Sequence, residues 1–456
     1  MARKVFISFL GTNNYIECCY QFNNEVSKPV RFVQEALIAH ICKDWTEKDQ
    51  ILIFCTSKET TGENGAKEIN WLNDGQPHIN NETERIGLQQ RLIDLKNNIG
   101  LKTQIEEVDI DAGFSEDEIW GIFNTVYSKL HPADQIYFDV THAFRSIPLF
   151  SIVLFNYAKF MIGTHLESIV YGAFEKLGST IKVKELLPED RIAPVIDLIN
   201  VARLQEYNQI ASGLKSFGKI RQIGNVINTG VSSVSDKAIS DLEASISELD
   251  EYINTINLQK IKSGNFIIKF RNNYKYVKRH YKIIDPIGKI LEELNNETAD
   301  FVSGSSFQNI EAAINWTIKH DMLMQAFPLA EEYIILHVAD MLKDMKPSTL
   351  SPKKYRMFIS SILGMPENDF ESKNWKGDLA EFPENADDIS EDFLVRELRP
   401  EYDKIREARN SLAHGNGAKT YDELKKLIPV IIDCIDHLNA GYKKYPSTQY
   451  IINNLC

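Results

Sequence analysis

The first 185 residues alternate short β-branched or aromatic runs with longer helical ones, and no other feature restricts the fold as much. Residues 4–10, 50–55, 101–109, 135–140 and 167–171 read as strands, with 180–184 as a sixth. Helical runs at 30–44, 82–98, 116–129 and 147–160 lie between them. Several of the strands are apolar nearly throughout, as strands covered on both faces of a parallel sheet are. The pattern predicts a doubly wound, Rossmann-like α/β domain with a parallel-rich sheet. Residues 60–81, rich in Gly and Asn, read as a loop or insertion. After Pro188 the pattern turns to helices only, with long amphipathic stretches at 189–228 and 235–256. A further helical block runs from 301 to 456, interrupted by an acidic, Pro-containing loop at 371–391. The expected organisation is an α/β domain over 1–187, an all-α linker region over 188–300 and an all-α domain over 301–456.

Size and charge narrow the classes. A chain of 456 residues fits two or three domains at roughly 150 residues each. With 51 basic against 64 acidic residues the net charge is −13, so any RNA contact must use a local basic patch, not a broad field. One segment fits that need. Between 252 and 284 there is no acidic residue, and Lys260, Lys262, Lys269, Arg271, Lys275, Lys278, Arg279 and Lys282 interleave with Phe266, Phe270, Tyr274, Tyr276 and Tyr281. It reads as an RNA-binding stretch or, equally, as a solvated helix pair joining domains. The longest apolar run, 147–163, contains Pro148, Asn156 and Lys159, which suits a buried helix and not a membrane span. No signal peptide is read, and the six cysteines show no zinc spacing. The expectation is a cytoplasmic protein with reduced thiols, no metal site and no membrane partner.

In an open α/β sheet, ligands bind beyond the carboxyl ends of the strands. Three loops are expected there. Gly11-Thr12-Asn13-Asn14-Tyr15 follows the first strand, Thr56-Ser57-Lys58 the second, and Thr141-His142-Ala143-Phe144-Arg145-Ser146 the fourth. Gly11 lets backbone approach a ligand, while Thr12, Asn13 and Thr56 offer hydrogen-bonding groups. Ser146 suits an N-cap and Pro148 a first helical turn, which would aim free N–H groups at an anion. Arg145 would add charge. The GxGxxG fingerprint is missing after the first strand, which weighs against a dehydrogenase.

The Gly-Thr-Asn loop and Asp139-Val140-Thr141-His142-Ala143-Phe144-Arg145-Ser146 resemble the signature loops of the CARF domain, the CRISPR-associated Rossmann fold. The resemblance implies a homodimer whose facing pockets bind one cyclic oligoadenylate ring, the tetra-adenylate before the hexa-adenylate. The residues that match are Gly11, Thr12, Asn13, Thr141, His142, Arg145 and Ser146. His142 could instead support the loop without touching a ligand.

Toward the other end lies Arg409-Asn410-Ser411-Leu412-Ala413-His414-Gly415. Pro400 and Glu401 suit the first turn of a helix there and Gly415 the residue past its end. Tyr402, Ile405, Ala408 and Leu412 mark its buried stripe. Arg406, Asn410 and His414 share another face, with Arg409 about 140° around the helix from His414. Cleaving RNA without metal needs proton transfer at the 2′-hydroxyl and leaving oxygen, plus positive charge on the phosphorane. Histidine and arginine supply these. A symmetric dimer would bring two such pairs into one cleft. Arg409-Asn410-x-x-x-His414 in an all-helical domain resembles the HEPN ribonuclease motif, and CARF followed by HEPN is the layout of accessory ribonucleases of type III CRISPR systems.

These readings converge on a homodimeric, cyclic-oligoadenylate-activated endoribonuclease that cuts single-stranded RNA without a metal cofactor, through Arg409, Asn410 and His414, leaving 2′,3′-cyclic phosphates. Two other readings stay open. One is a ligand-sensing binding module in which Arg409 and His414 are structural. The other is a ring nuclease, with Thr141 or His142 positioning a 2′-hydroxyl of the activator.

Overall fold

The computed structural model describes residues 2–75, 86–142, 146–230, 237–365, 375–414 and 419–440. Compact packing divides the chain into two units, Met1–Leu204 and Gln205–Cys456.

The first unit is built on eight strands: β1 (Lys4–Leu10), β2 (Cys19–Phe22), β3 (Glu25–Val26), β4 (Gln50–Thr56), β5 (Gln104–Ile110), β6 (Gln135–Asp139), β7 (His165–Gly172) and β8 (Ile192–Asp197). Their order is β3-β2-β8-β7-β6-β1-β4-β5. The run β5-β4-β1-β6-β7 is parallel throughout. Its winding reverses between β1 and β6, which makes that pair the switch point of a Rossmann-like sheet. Strand side chains alternate between faces, and both faces are filled. Phe6, Leu10, Ile51 and Ile53 pack with Leu37 and Leu92 from helices Val33–Ile41 and Leu88–Ile99. Val5, Ile7, Phe9, Leu52 and Phe54 pack with Val126, Leu154 and Ala158 from helices Glu116–Ser128 and Ser146–Ile162. This two-sided burial explains why β1 and β4 read as unbroken apolar runs.

Departures from the expected elements have identifiable causes. The run at 180–184 is not a strand but the helix Thr180–Glu185. Its alternation places Val183 inside and leaves Ile181 76% exposed, and Arg191 donates to the carbonyls of Val183 and Leu186. The chain after Pro188 is not all helical, because β8 joins the sheet, parallel to β2 and antiparallel to β7. The expected boundary at 187 therefore falls before the last strand. The stretch 60–81 is not simply a loop: Lys67–Trp71 forms a π-helical turn. Within 371–391, the described residues include helices Asp378–Glu381 and Pro383–Glu391.

Among the described residues of the second unit every regular element is a helix. One continuous apolar core runs through it from Tyr207 to Leu438, so the expected stretches 188–300 and 301–456 share a core. The basic segment is drawn into that core. Phe266, Phe270 and Tyr274 are buried, against the reading of them as stacking platforms for RNA. Arg271 donates to the carbonyls of Thr298 and Phe301, Lys269 pairs with Glu248, and Lys262 lies 3.9 Å from the Phe307 ring centroid. No helix among the described residues is long and apolar enough to cross a membrane.

Candidate functional site

At the switch point, the loops after β1 and β6 close over a buried polar network. Asp139, at the end of β6, is completely buried. It accepts from Ser8 Oγ at 2.7 Å, Thr141 Oγ1 at 2.6 Å and the Thr141 N–H at 2.9 Å. Burial raises its carboxyl above the usual range, and these three donors oppose the shift. Gln34 Nε2 extends the network to Ser8 Oγ, and Thr141 Oγ1 accepts from the Gly172 N–H at 2.9 Å. Thr141 thus ties β6 to the end of β7.

Above this network is a cavity of about 290 Å³ whose lining includes Asn13, Tyr15, Arg31, Thr141, His142 and Tyr171. His142 stacks on Tyr15, ring centroids 4.0 Å apart at an angle of 33°. Its Nε2 is buried and has no hydrogen-bond partner among the described residues, and burial pushes its pKa down to about 3. The imidazole is therefore neutral near pH 7, with an unused hydrogen-bonding nitrogen and no charge. Gly11 is required for the stack, because a Cβ there would lie 2.5 Å from Tyr15 Oη and 3.1 Å from the His142 carbonyl. Asn70, on the π-helical turn, holds the loop by donating to the carbonyls of Gly11 at 2.7 Å and Asn13 at 3.0 Å.

Charge comes from a residue the sequence reading did not single out. Arg31 is 7% exposed, lines the cavity, donates from Nε to the Asp74 carbonyl at 3.1 Å and bonds the Asn14 side chain. A lone arginine between a turn and a helix carries no sequence signal. Glu175 lies at another wall, accepting from the Tyr171 hydroxyl at 2.5 Å.

The expected ligand residues separate on this geometry. Asn13, Thr141 and His142 line the cavity, and Gly11 shapes it. Thr12 is exposed. Thr56 is buried, and its Oγ1 accepts from the Ala66 N–H at 3.1 Å, so it anchors the segment after β4 and does not line the cavity. Ser146 is the first residue of helix Ser146–Ile162, whereas Arg145 lies outside the described residues.

The second location is the end of helix Phe393–His414. Pro400 sits inside this helix instead of in its first turn, and Gly415 lies outside the described residues. Tyr402, Ile405 and Ala408 are fully buried and Leu412 packs against the core, as the stripe predicts. Arg409 is not free. Its Nε donates to Glu331 Oε2 at 2.6 Å and its Nη2 to Glu331 Oε1 at 2.8 Å. Glu331 belongs to helix Leu323–Met341, is 5% exposed, and also accepts from the Tyr402 hydroxyl at 3.3 Å. The carboxylate raises the Arg409 pKa further, so the guanidinium stays charged. Arg406, expected beside Asn410 and His414, donates instead to the Gly364 carbonyl at 2.6 Å and pairs with Asp403 at 3.1 Å. Asn410 is half-buried and His414 exposed on the last turn. Among the described residues no group of three or more His, Cys, Asp or Glu is placed to hold a metal ion.

A CRISPR-associated protein of Methanocaldococcus jannaschii is 24% identical to this chain over 345 residues, 71% of the chain and 51% of that protein. The chain spans about half the length of this CRISPR-associated relative. A structure titled Enterococcus italicus Csm6 bound to cyclic hexa-2′-fluoro-hexa-dAMP aligns with 96% of this chain and 94% of its own at 12% identity, with a TM-score of 0.44. No protein-family model matches the chain.

Proposed function

We propose that this chain is a homodimeric ribonuclease of type III CRISPR defence, activated by a cyclic oligoadenylate and cutting single-stranded RNA without metal. The observation that carries the reading is the cavity at the β1/β6 switch point. There the Tyr15–His142 stack, a neutral unpartnered Nε2 and the Arg31 guanidinium offer base stacking, a hydrogen bond and phosphate charge in one place. The tetra-adenylate ring is the first candidate activator. In the helical unit, Arg409 would bind the scissile phosphate and His414 transfer protons, with Asn410 beside them. A 2′-hydroxyl attacks the adjacent phosphorus and the 5′-oxygen leaves, giving a 2′,3′-cyclic phosphate and a 5′-hydroxyl. Activation requires that the ring bind more tightly to the cleavage-competent state.

The bidentate grip of Glu331 on Arg409 favours a second reading, a ligand-sensing module whose Arg409 is structural. Cleavage of a fluorescent single-stranded RNA in EDTA, with cyclic tri-, tetra- and hexa-adenylate in parallel, separates the two. Cleavage with one ring alone supports the ribonuclease and names its activator. Binding of a ring with no cleavage supports the module. In the first case His414→Ala abolishes cleavage and leaves ring affinity unchanged; activity retained in that variant removes His414 from the mechanism.

A further inference from the structure

Resting on the ribonuclease reading, we propose that Glu331 is the positioning residue for Arg409, fixing the guanidinium so that its remaining edge meets the scissile phosphate. An arginine at the exposed end of a helix has four rotatable side-chain bonds and would sample many directions. Ordering it on substrate alone costs free energy in every turnover. Here that ordering is built in. Both oxygens of a carboxylate that is 5% exposed engage Nε and Nη2, at 2.6 and 2.8 Å. Two parallel bonds of this kind fix the plane of the guanidinium as well as its position.

The carboxylate is itself held. Glu331 lies on the apolar face of helix Leu323–Met341, between the buried residues Phe327, Ile334 and Ile335. It also accepts from Tyr402, about two turns before Arg409 on helix Phe393–His414. The Arg409 Nη1 edge is left unbonded among the described residues, and the side chain keeps 34% of its surface exposed. A guanidinium tied by one edge and open at the other is arranged to hand a fixed charge to an anion. A purely structural ion pair would have no need of the open edge. The next residue, Glu332, shows the contrast: it pairs instead with Arg356 on helix Pro352–Leu363.

The test uses the full chain with cyclic tri-, tetra- and hexa-adenylate in parallel and a fluorescent single-stranded RNA, measuring kcat, KM and thermal melting for wild type, Glu331→Gln, Arg409→Ala, the double variant and Glu332→Gln. Gln keeps the shape of Glu331 and one acceptor but breaks the paired grip. The expected result is a kcat loss on the order of a hundredfold for E331Q, as for a catalytic group displaced by about an ångström. KM should stay near wild type, Glu332→Gln should cleave normally, and E331Q should add no further loss to R409A, because residues acting as one unit are not additive. Wild-type kcat in E331Q overturns the proposal, as do losses that multiply in the double variant. A wild type inert with every ring while still binding one fails the ribonuclease reading itself, and leaves the pair as a fold contact. Should E331Q not fold, Glu331→Asp retains charge with a shorter reach and must still lower kcat several-fold at unchanged KM.

Discussion

At the scale of single residues, the cavity is lined by a neutral histidine and a buried arginine. The His142 pKa is pushed down to about 3 by burial, so between that value and the ordinary 6.5 the unfolded chain binds a proton that the folded chain refuses. Its contribution is complete above pH 6.5 and is lost as pH falls through this window, at up to about 1.4 kcal/mol per pH unit. Asp139 has the opposite sign, since its raised carboxyl takes up a proton in the folded state first. The two are separable by substitution. Urea titrations at pH 4.5 and 6.5 should show a smaller loss of stability on acidification for His142→Asn than for wild type; an equal loss would mean that His142 titrates normally. Arg31→Ala should weaken binding of cyclic tetra-adenylate by roughly ten- to a hundredfold, the size of one charge-assisted hydrogen bond, and calorimetry reads this directly. Thr141 and His142 were legible because they follow a strand at the expected sheet edge. Arg31 was not, since nothing local distinguishes it. Glu331 left a trace in retrospect, as a carboxylate on the apolar stripe of a helix between Phe327 and Ile335.

At the scale of elements, the parallel strands were readable because burial on both faces forces unbroken apolar sequence. β8 was hidden by Pro194, which argues against a central strand. The structure accommodates it because the two ladders use different halves: Ile192–Pro194 pair with β2, and Val195–Asp197 with β7. The β2–β3 hairpin turns on Asn23 with φ 48°, a conformation asparagine tolerates; its strands of four and two residues are too short for alternation to be read. The π-helical turn Lys67–Trp71 was hidden in a Gly- and Asn-rich stretch, yet its Asn70 spans from that insertion to the loop after β1. Asn70→Ala removes both donors from that loop. We expect ring affinity to fall at least tenfold while stability drops by about 1–2 kcal/mol, the usual cost of losing two neutral hydrogen bonds. Calorimetry beside a urea melt checks both, and unchanged affinity would show that the loop holds its shape unaided.

At the scale of the whole molecule, sequence composition separated an α/β front from a helical remainder, but it could not show where cores begin and end. Basic character between 252 and 284 read as a surface for RNA or as a linker; in the structure its aromatic face is interior. Ring centroids of Phe266 and Phe301 lie 5.8 Å apart, and the Ser306 N–H donates to the Lys262 carbonyl at 3.0 Å. These contacts cross residue 300, where a domain boundary was expected. Ile267, Phe270, Val277, Ile287, Leu291 and Leu294 are all fully buried in the same core as Tyr402 and Ile405. At about 1.5–3 kcal/mol for each side chain, removing them costs on the order of 10 kcal/mol, comparable with the whole stability of an ordinary domain. A fragment starting at Gln205 should therefore melt cooperatively, whereas one starting at Phe301 should show helical signal without a cooperative transition and should not cleave RNA. Calorimetry on the two fragments decides it. A cooperative melt from the shorter fragment would restore 188–300 as a separable linker and place the folding unit of the Arg409 helix entirely beyond residue 300.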